Sequence, residues 1–341
     1  MYNKLPTSFS MKKQCVYILM LVLLHIQCGL HNEVIYTVTG PVSANKIGFT
    51  LPHEHVLVDF IGADSVNANR YNADSVFMKV LPFLVELKNA NCNTFFDCTP
   101  QYLGRDVKLL RRLSNASGVN IVTNTGYYGA VNQKYYPKQV YTERPEQIAK
   151  RWVSEFRNGI DGTGIKPGFI KLGADKGPLT ADQKMILIAA ALTHDQTGLT
   201  IAAHSGDGAA AREELSILMQ NGVAPDAFVW VHAQNEKDSA VINELADIGA
   251  WVEFDGLNED NVGEYVNLLS YLKRNELLHR TLVSQDAGWY NVGSPDSVVF
   301  RRYTTVFTDL IPALKKEGFS DSEIELVFRE NPAAAFSVKK K

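Results

Sequence analysis

The sequence lacks several features that would assign it to a class of protein at once. Its 341 residues carry a formal net charge of −3 and show no basic stripe, so nothing favours a nucleic-acid partner. We find no low-complexity segment, linker or close internal repeat. With 45% hydrophobic and 21% charged residues, the composition is typical of a soluble globular chain.

The chain also lacks an apolar run long enough to cross a bilayer, which takes roughly 20 residues. The run from Val16 to Leu24 is too short, and it follows Lys12 and Lys13. A short basic segment before a short apolar one is typical of an export signal. We therefore predict a signal peptide or lipoprotein signal in residues 1–32 and a single domain in residues 33–341. A buried N-terminal helix is the alternative.

Cys28 would be the lipidated residue if this segment were a bacterial lipoprotein signal. Gln27 stands directly before it, where a small residue is expected. The sequence thus predicts an exported protein that is either periplasmic or attached to the membrane only through lipid on Cys28.

Cysteine is scarce, with four residues in the whole chain. Cys15 and Cys28 fall in the predicted signal, which leaves Cys92 and Cys98. On one strand these two would lie about 20 Å apart, at about 3.3 Å per residue. A disulfide needs Cα atoms within about 7 Å, so we expect two buried free thiols and no disulfide framework.

Eight apolar runs of strand length alternate with segments of helical period. The predicted strands are 48–59, 94–98, 119–125, 169–172, 200–204, 228–232, 250–254 and 281–286. The predicted helices are 76–88, 105–117, 145–158, 181–197, 208–221, 239–248 and 259–275. Regular strand–helix alternation indicates parallel strands with helical crossovers. Eight such units predict an α/β fold, a closed (β/α)₈ barrel of the TIM type.

Two histidines stand two residues apart in the first predicted strand. Side chains at this spacing point to the same face, so His53 and His55 would share one space, as two ligands of one metal do. A pair of buried core histidines is the alternative. Glu54 between them points to the opposite face and is expected to be structural.

Polar residues stand at or near the carboxyl ends of four later strands, at Lys171, His204, His232 and Asp286. In a closed barrel these ends converge on the mouth where active sites lie. Imidazole and carboxylate ligands suit zinc and its neighbours. An ammonium group has no acceptor and cannot ligate a cation. Lys171 is therefore either an ion-pair partner of Asp286, beside a single ion, or a CO₂-derived carbamate that bridges two ions.

Several motifs resemble, in a single register over residues 36–336, those of the phosphotriesterase family of the amidohydrolase superfamily. They include Thr50-Leu51-Pro52-His53-Glu54-His55, Gly104-Arg105-Asp106-Val107, Ile170-Lys171-Leu172-Gly173, Ala203-His204-Ser205-Gly206, Val231-His232, Ser284-Gln285-Asp286 and Asn331-Pro332-Ala333. The resemblance implies a metal site at the C-terminal mouth of the barrel. It also implies two divalent ions, zinc first, with manganese, cobalt or iron as alternatives.

The resemblance further implies a role for each of the six residues. His53, His55 and Asp286 would hold one ion, and His204 and His232 would hold the other. Carbamylated Lys171 and a hydroxide would bridge the two. Asp286 and Lys171 would be the catalytic residues, with Asp286 taking the proton when the hydroxide attacks the substrate.

The sequence departs from the phosphotriester-cleaving members of that family. Those carry an acidic residue three positions after the sixth-strand histidine and a histidine at the end of the seventh strand, where this chain has Asn235 and Gly256.

The predicted pocket residues are Tyr127, Trp289 and Tyr290, with packing at the barrel rim as the alternative for Tyr127. We expect Asp255 to be a solvated loop carboxylate rather than a pocket acid.

These observations predict a binuclear metal-dependent hydrolase of a small ester-like substrate. A lactone or carboxyl ester is favoured, with a phosphoester behind it. The alternatives are an amide or N-acyl hydrolase of the same family and a metal-containing barrel that binds a ligand without turnover. The sequence itself indicates no particular oligomer, and the resemblance leaves a homodimer open, since members of this family often pair.

Overall fold

All eight predicted strands form, and the third is divided at Thr123. The computed structural model describes residues 33–295 and 299–339, so the predicted signal in residues 1–32 lies outside the described residues. The strands are β1 Glu33–Thr37, β2 Gly40–Ser43, β3 Thr50–Val58, β4 Thr94–Asp97, β5 Asn120–Val122, β6 Asn124–Thr125, β7 Phe169–Ala174, β8 Ile201–Ser205, β9 Phe228–Val231, β10 Trp251–Phe254, β11 Thr281–Val283, β12 Gly288–Asn291 and β13 Val338–Lys339.

Helices separate most of the barrel strands, and their ends follow from local sequence. At one of them, Thr180 and Gln183 form a reciprocal capping box, and Gly198 ends the helix with a left-handed φ of 75°. The α-helices are Ala73–Asn89, Val107–Ser117, Pro145–Asn158, Ala181–Thr197, Gly208–Gln220, Ser239–Ile248, Val262–Arg274, Ile311–Lys316, Asp321–Glu325 and Asn331–Phe336.

The barrel strands run parallel and pair with their neighbours in chain order. One sheet has the order β6-β7-β8-β9-β10-β11, and the other has the order β5-β4-β3-β12. The chain passes directly from β5 to β6 through Thr123. At the opposite seam, Asp286 N–H donates to His53 O (3.1 Å) and His55 N–H donates to Ala287 O (2.9 Å). The predicted (β/α)₈ fold is confirmed, and the carboxyl ends of its strands form the mouth.

A small antiparallel sheet of β13, β1 and β2 lies at the other end of the barrel and was not predicted from the sequence. Its neighbourhood is apolar, because Ile35, Ile47 and Phe336 share one buried cluster with Phe96 and Phe169 of the barrel strands. The rings of Phe96 and Phe336 have centroids 4.5 Å apart. Apolar side chains therefore fill the amino end of the barrel, while polar ones gather at the mouth.

The described part of the chain contains two cysteines, Cys92 and Cys98. Cys92 and Cys98 are buried free thiols, which confirms that they do not pair with each other. Within residues 33–295 and 299–339, no helix has the length and apolar character needed to span a bilayer.

Candidate metal centre

The six predicted ligands all line one cavity of about 110 Å³ at the barrel mouth. They are His53 and His55 of β3, Lys171 of β7, His204 of β8, His232 directly after β9, and Asp286 between β11 and β12. The alternation of β3 brings the first two histidines side by side, with ring centroids 5.3 Å apart. Residues far apart in the sequence thus share one space.

The imidazoles and the carboxylate form two adjacent groups. Asp286 Oδ1 lies 3.1 Å from His55 Nε2 and 3.7 Å from His53 Nε2, so the three side chains could hold one ion. His204 and His232 form the second group, with ring centroids 4.4 Å apart. The His53 and His232 rings are separated by 5.1 Å, so the two groups lie next to each other.

Two of the six residues have an unusual backbone conformation. The φ angle is 67° at His232 and 49° at Asp286, in the left-handed region that residues other than glycine rarely adopt. Each residue follows the end of a strand. Such conformations cost free energy and persist only where the surrounding structure enforces them, often at functional sites.

Asp255 holds two of the histidines, and the expectation that it is a solvated loop carboxylate is wrong. Its side chain is fully buried, because the chain leaving β10 turns it toward the ligands. Its Oδ2 lies 2.8 Å from His53 Nδ1, and its Oδ1 lies 2.5 Å from His232 Nδ1. Burial by itself would raise the pKa of Asp255, but His232 and His53 hold that pKa well below its ordinary value.

Thr99 has the same relation to His55, since its Oγ1 lies 2.8 Å from His55 Nδ1. All four histidines therefore have Nδ1 within hydrogen-bond distance of an oxygen, because the Tyr128 hydroxyl lies 3.0 Å from His204 Nδ1. A carboxylate can only accept, so Asp255 favours the tautomer of His53 and His232 that leaves the lone pair on Nε2. Metal-ligating histidines commonly have such a partner on the other ring nitrogen. The arrangement fits histidines that present Nε2 to an ion.

Burial also keeps two of the histidine rings, His53 and His204, uncharged. The pKa of His53 falls from 6.5 to about 4, mainly through burial and also through the positive charge of Lys171. The pKa of His204 falls well below its ordinary value, mainly through burial and also through His232 and Lys171. A histidine must be neutral to bind a metal, so His53 and His204 are in the required state near neutral pH.

Lys171 is the anomaly of the site. Its side chain is 1% exposed, and Nζ has no hydrogen-bond partner among the residues that the structure describes. An unpaired buried ammonium is very unfavourable, with a desolvation cost of several kcal/mol. The geometry does not support a direct ion pair with Asp286 as its explanation, because Asp286 Oδ1 contacts the histidines instead.

Glu54 points away from the cavity and supports the site from behind. Its carboxylate accepts hydrogen bonds from Ser284 Oγ (2.8 Å), Gln285 N (3.0 Å) and Ala287 N (2.6 Å). These donors flank Asp286 on both sides. The expectation of a structural role fits this position, since one buried side chain fixes the segment that carries a ligand.

The three predicted pocket residues lie in different surroundings in the structure. Trp289 lines the cavity, with its ring 4.4 Å from that of His55, whereas Tyr290 lies in a neighbouring groove. Tyr127 does not line the cavity, because its ring packs between Tyr102 and Trp152. This position corresponds to the alternative of packing at the barrel rim.

The next residue, Tyr128, takes the place expected for Tyr127. Its hydroxyl lies 3.0 Å from His204 Nδ1 and faces the cavity. Gly126, with a φ of 115°, turns the chain after β6, so strand alternation no longer predicts which tyrosine faces inward. Five further side chains line the cavity: Phe60, Cys98, Leu103, Val131 and Tyr135.

The fold and the site together define a (β/α)₈ barrel with a candidate metal centre at its mouth. The family model of the phosphotriesterase family matches residues 33–336. The chain therefore belongs to the phosphotriesterase family, and its relatives include hydrolases.

Two relatives and one solved structure show the extent of the similarity. The phosphotriesterase homology protein of Escherichia coli K12 is 28% identical over 308 residues, covering 86% of this chain and all of the relative. An aryldialkylphosphatase of Saccharolobus solfataricus is also 28% identical, covering 87% of this chain and 97% of its own. A structure from the engineering of organophosphate hydrolysis on a weak promiscuous lactonase template is 26% identical, with a TM-score of 0.80, and covers 89% of this chain and 99% of its own.

Proposed function

We propose that this protein is a hydrolase that uses two divalent metal ions, zinc first, to cleave a small ester-like substrate. The observation that carries the proposal is the buried and unpartnered Lys171 Nζ inside a ring of four histidines and one aspartate. A carbamate formed from CO₂ would turn this group into an anion with two oxygens. That anion would remove the unpaired positive charge and supply a ligand to each ion.

The donor set fits two ions better than one. His53, His55 and Asp286 can converge on one point, and His204 and His232 form a pair beside it. Imidazole nitrogen and carboxylate oxygen suit zinc, and manganese, cobalt or iron would also fit. Six ligands exceed the four that a single zinc takes, so a shared bridging group at Lys171 accounts for the surplus.

The chemistry follows from these positions. When bound, two divalent ions would supply an acidified water and a Lewis acid for the carbonyl or phosphoryl oxygen of the substrate. Asp286, in the first group of candidate ligands, would accept the proton released during attack. The Tyr128 hydroxyl reaches the cavity and would orient the substrate by a hydrogen bond. Trp289 and Phe60, with ring centroids 5.5 Å apart, would cover the substrate and limit water.

The cavity wall favours a neutral substrate. Apart from the candidate ligands, it is built mainly from apolar and aromatic side chains, and Lys171 is the one lysine or arginine that lines it within the described residues. A permanently anionic group would find no counter-charge there beyond the ions. Asn235 and Gly256 stand where an acid and a histidine would relay protons in phosphotriester-cleaving members. We therefore place lactones and carboxyl esters before phosphotriesters and amides.

The test is a metal analysis followed by a substrate panel. Protein loaded with zinc or manganese should bind two ions per chain and hydrolyse lactones or aryl esters faster than acyl amides or phosphotriesters. Metal-free protein regenerated without bicarbonate is the matched control, because the carbamate needs CO₂. Fewer than one ion per chain, with no turnover of any substrate, would favour a ligand-binding barrel. Faster turnover of amides would favour the N-acyl hydrolase.

We also propose that the chain is exported, on the strength of the basic and apolar segments in residues 1–32. Mass spectrometry of the protein isolated from its own cells would test this. Loss of the segment before Cys28 together with a lipid mass would identify a lipoprotein, and loss of the segment alone would identify a signal peptide. An intact first segment would contradict export.

A further inference from the structure

We propose that Asp255 is a positioning residue shared by the two ion sites, so that one carboxylate orients a histidine ligand of each. This inference rests on the proposed two-ion function. It concerns a residue outside the ligand set, and it predicts that both ions depend on the same hydrogen-bonded group.

Each carboxylate oxygen of Asp255 accepts two hydrogen bonds. Oδ1 accepts from His232 Nδ1 (2.5 Å) and Gln234 Nε2 (2.7 Å). Oδ2 accepts from His53 Nδ1 (2.8 Å) and the backbone N–H of His232 (3.3 Å). A carboxylate has about four acceptor sites and no donor, so these contacts use its full capacity. The side chain is fully buried, and water does not compete for these bonds.

This arrangement fixes the tautomer of two rings at once. Because both oxygens can only accept, His53 and His232 must each carry the proton on Nδ1. The lone pair then lies on Nε2, the nitrogen that His53 directs toward Asp286. His53 belongs to the first ligand group and His232 to the second, so Asp255 connects the two groups.

A direct role for Asp255 as a metal ligand is not favoured by the distances. His53, His232 and Asp255 lie close enough together to be considered as a metal-binding group. Ligand atoms on one tetrahedral zinc, at about 2.0 Å each, lie about 3.3 Å apart. The observed 2.5 Å and 2.8 Å separations are hydrogen-bond lengths instead.

Thr99 provides the matched comparison. It contacts Nδ1 of His55 alone, so it supports one ion site, whereas Asp255 supports both. Asp255→Asn and Thr99→Val each keep the shape of the side chain. In Asp255→Asn, either orientation of the amide sets its NH₂ group against two donors, so at least one histidine loses its partner. The remaining oxygen is also a weaker acceptor than a carboxylate.

The experiment measures the two stepwise zinc dissociation constants by competition with a chelator, independently of activity. We expect Asp255→Asn to weaken both steps, each by about 10–100-fold. Thr99→Val should weaken one step and leave the other within about threefold. If Asp255→Asn weakens one step alone while wild type binds two ions, the shared role is wrong and the proposed function stands. If wild type binds fewer than two ions, both proposals fail.

A second measurement does not depend on a folded variant. The nitrogen NMR shifts of the imidazoles in metal-free wild-type protein report which ring nitrogen carries the proton. We expect His53 and His232 both to carry it on Nδ1. Observation of the Nε2–H tautomer at either ring would overturn the inference, whether or not Asp255→Asn can be purified.

Discussion

The substitution Glu54→Gln tests how the segment that carries Asp286 is held in place. Glu54 is fully buried, and its two oxygens divide the donors between them. One oxygen accepts from Ser284 Oγ and Gln285 N, and the other accepts from Ala287 N. All three bonds cross from β3 to the 284–287 segment, so this carboxylate joins the first and last parts of the barrel.

The expected fall in the free energy of unfolding follows from the number of acceptor oxygens that glutamate and glutamine offer. A glutamine side chain has one acceptor oxygen, so its NH₂ group must face either the Gln285 N–H or the Ala287 N–H. That backbone N–H is then buried without an acceptor, which costs about 1–3 kcal/mol. We expect the free energy of unfolding to fall by this amount. The affinity for an ion held by Asp286 should fall as well, because the same segment sets the position of that ligand.

Urea unfolding of the metal-free protein, followed by tryptophan fluorescence and circular dichroism, gives the free energy directly. Glu317→Gln is the matched control, since it makes the same chemical change on an exposed side chain. Such surface changes usually stay within about 0.5 kcal/mol. If Glu54→Gln were equally mild, the claim that this carboxylate fixes the Asp286 segment would be refuted.

Three further predictions concern the ionisable groups of the site and its surroundings. Lys171→Ala should bind fewer ions and lose most activity, with partial recovery when a short carboxylic acid replaces the bridge; full activity without the acid would exclude a bridging role. Asp286→Asn should lower kcat far more than it weakens substrate binding, because an amide cannot accept the proton, and an unchanged kcat would contradict this. Burial raises the pKa of Glu214 from 4.5 to about 8. The folded chain therefore keeps a proton that the unfolded chain releases, and the stability from this group is present below about pH 4.5 and is lost as the pH rises to about 8. Glu214→Gln should flatten the decline of Tm over that interval, and an identical pH profile would identify another group as its source.

The convergence of the six candidate ligands on one cavity could be predicted because two simple regularities apply to them. Alternation along a strand places His53 and His55 on one face, and this holds for any strand that stays regular. Parallel strands in a barrel end at one rim, so a polar residue at the carboxyl end of a buried strand is directed to the mouth. Lys171, His204 and Asp286 follow the second rule.

Asp255 follows the same rule and was assigned wrongly. It stands directly after β10, as His232 stands directly after β9. The chain turns only after the carboxylate has entered the site. The position of Asp255 directly after a strand predicts its burial in the site better than its assignment to a loop does.

Other features depend on contacts that sequence alone does not encode. The pairing of Val34 with Val338 joins the two ends of the described chain, and neither short segment has a pattern that identifies its partner. The choice between Tyr127 and Tyr128 depends on the turn at Gly126. Strand alternation ends there, so local geometry decides which ring faces the cavity.

The residues that hold the ligands come from strands other than those of the ligands themselves. Asp255, after β10, holds rings from β3 and β9, and Glu54 of β3 holds the segment after β11. The contact of Asp255 with His53 and that of Glu54 with the segment after β11 form only when the barrel closes between its first and last strands, whereas Asp255 and His232 follow neighbouring strands. The geometry of the site is therefore a consequence of barrel closure as well as of the ligand side chains. A substitution that loosens the seam between β3 and β12 should weaken ion binding even if every ligand is retained.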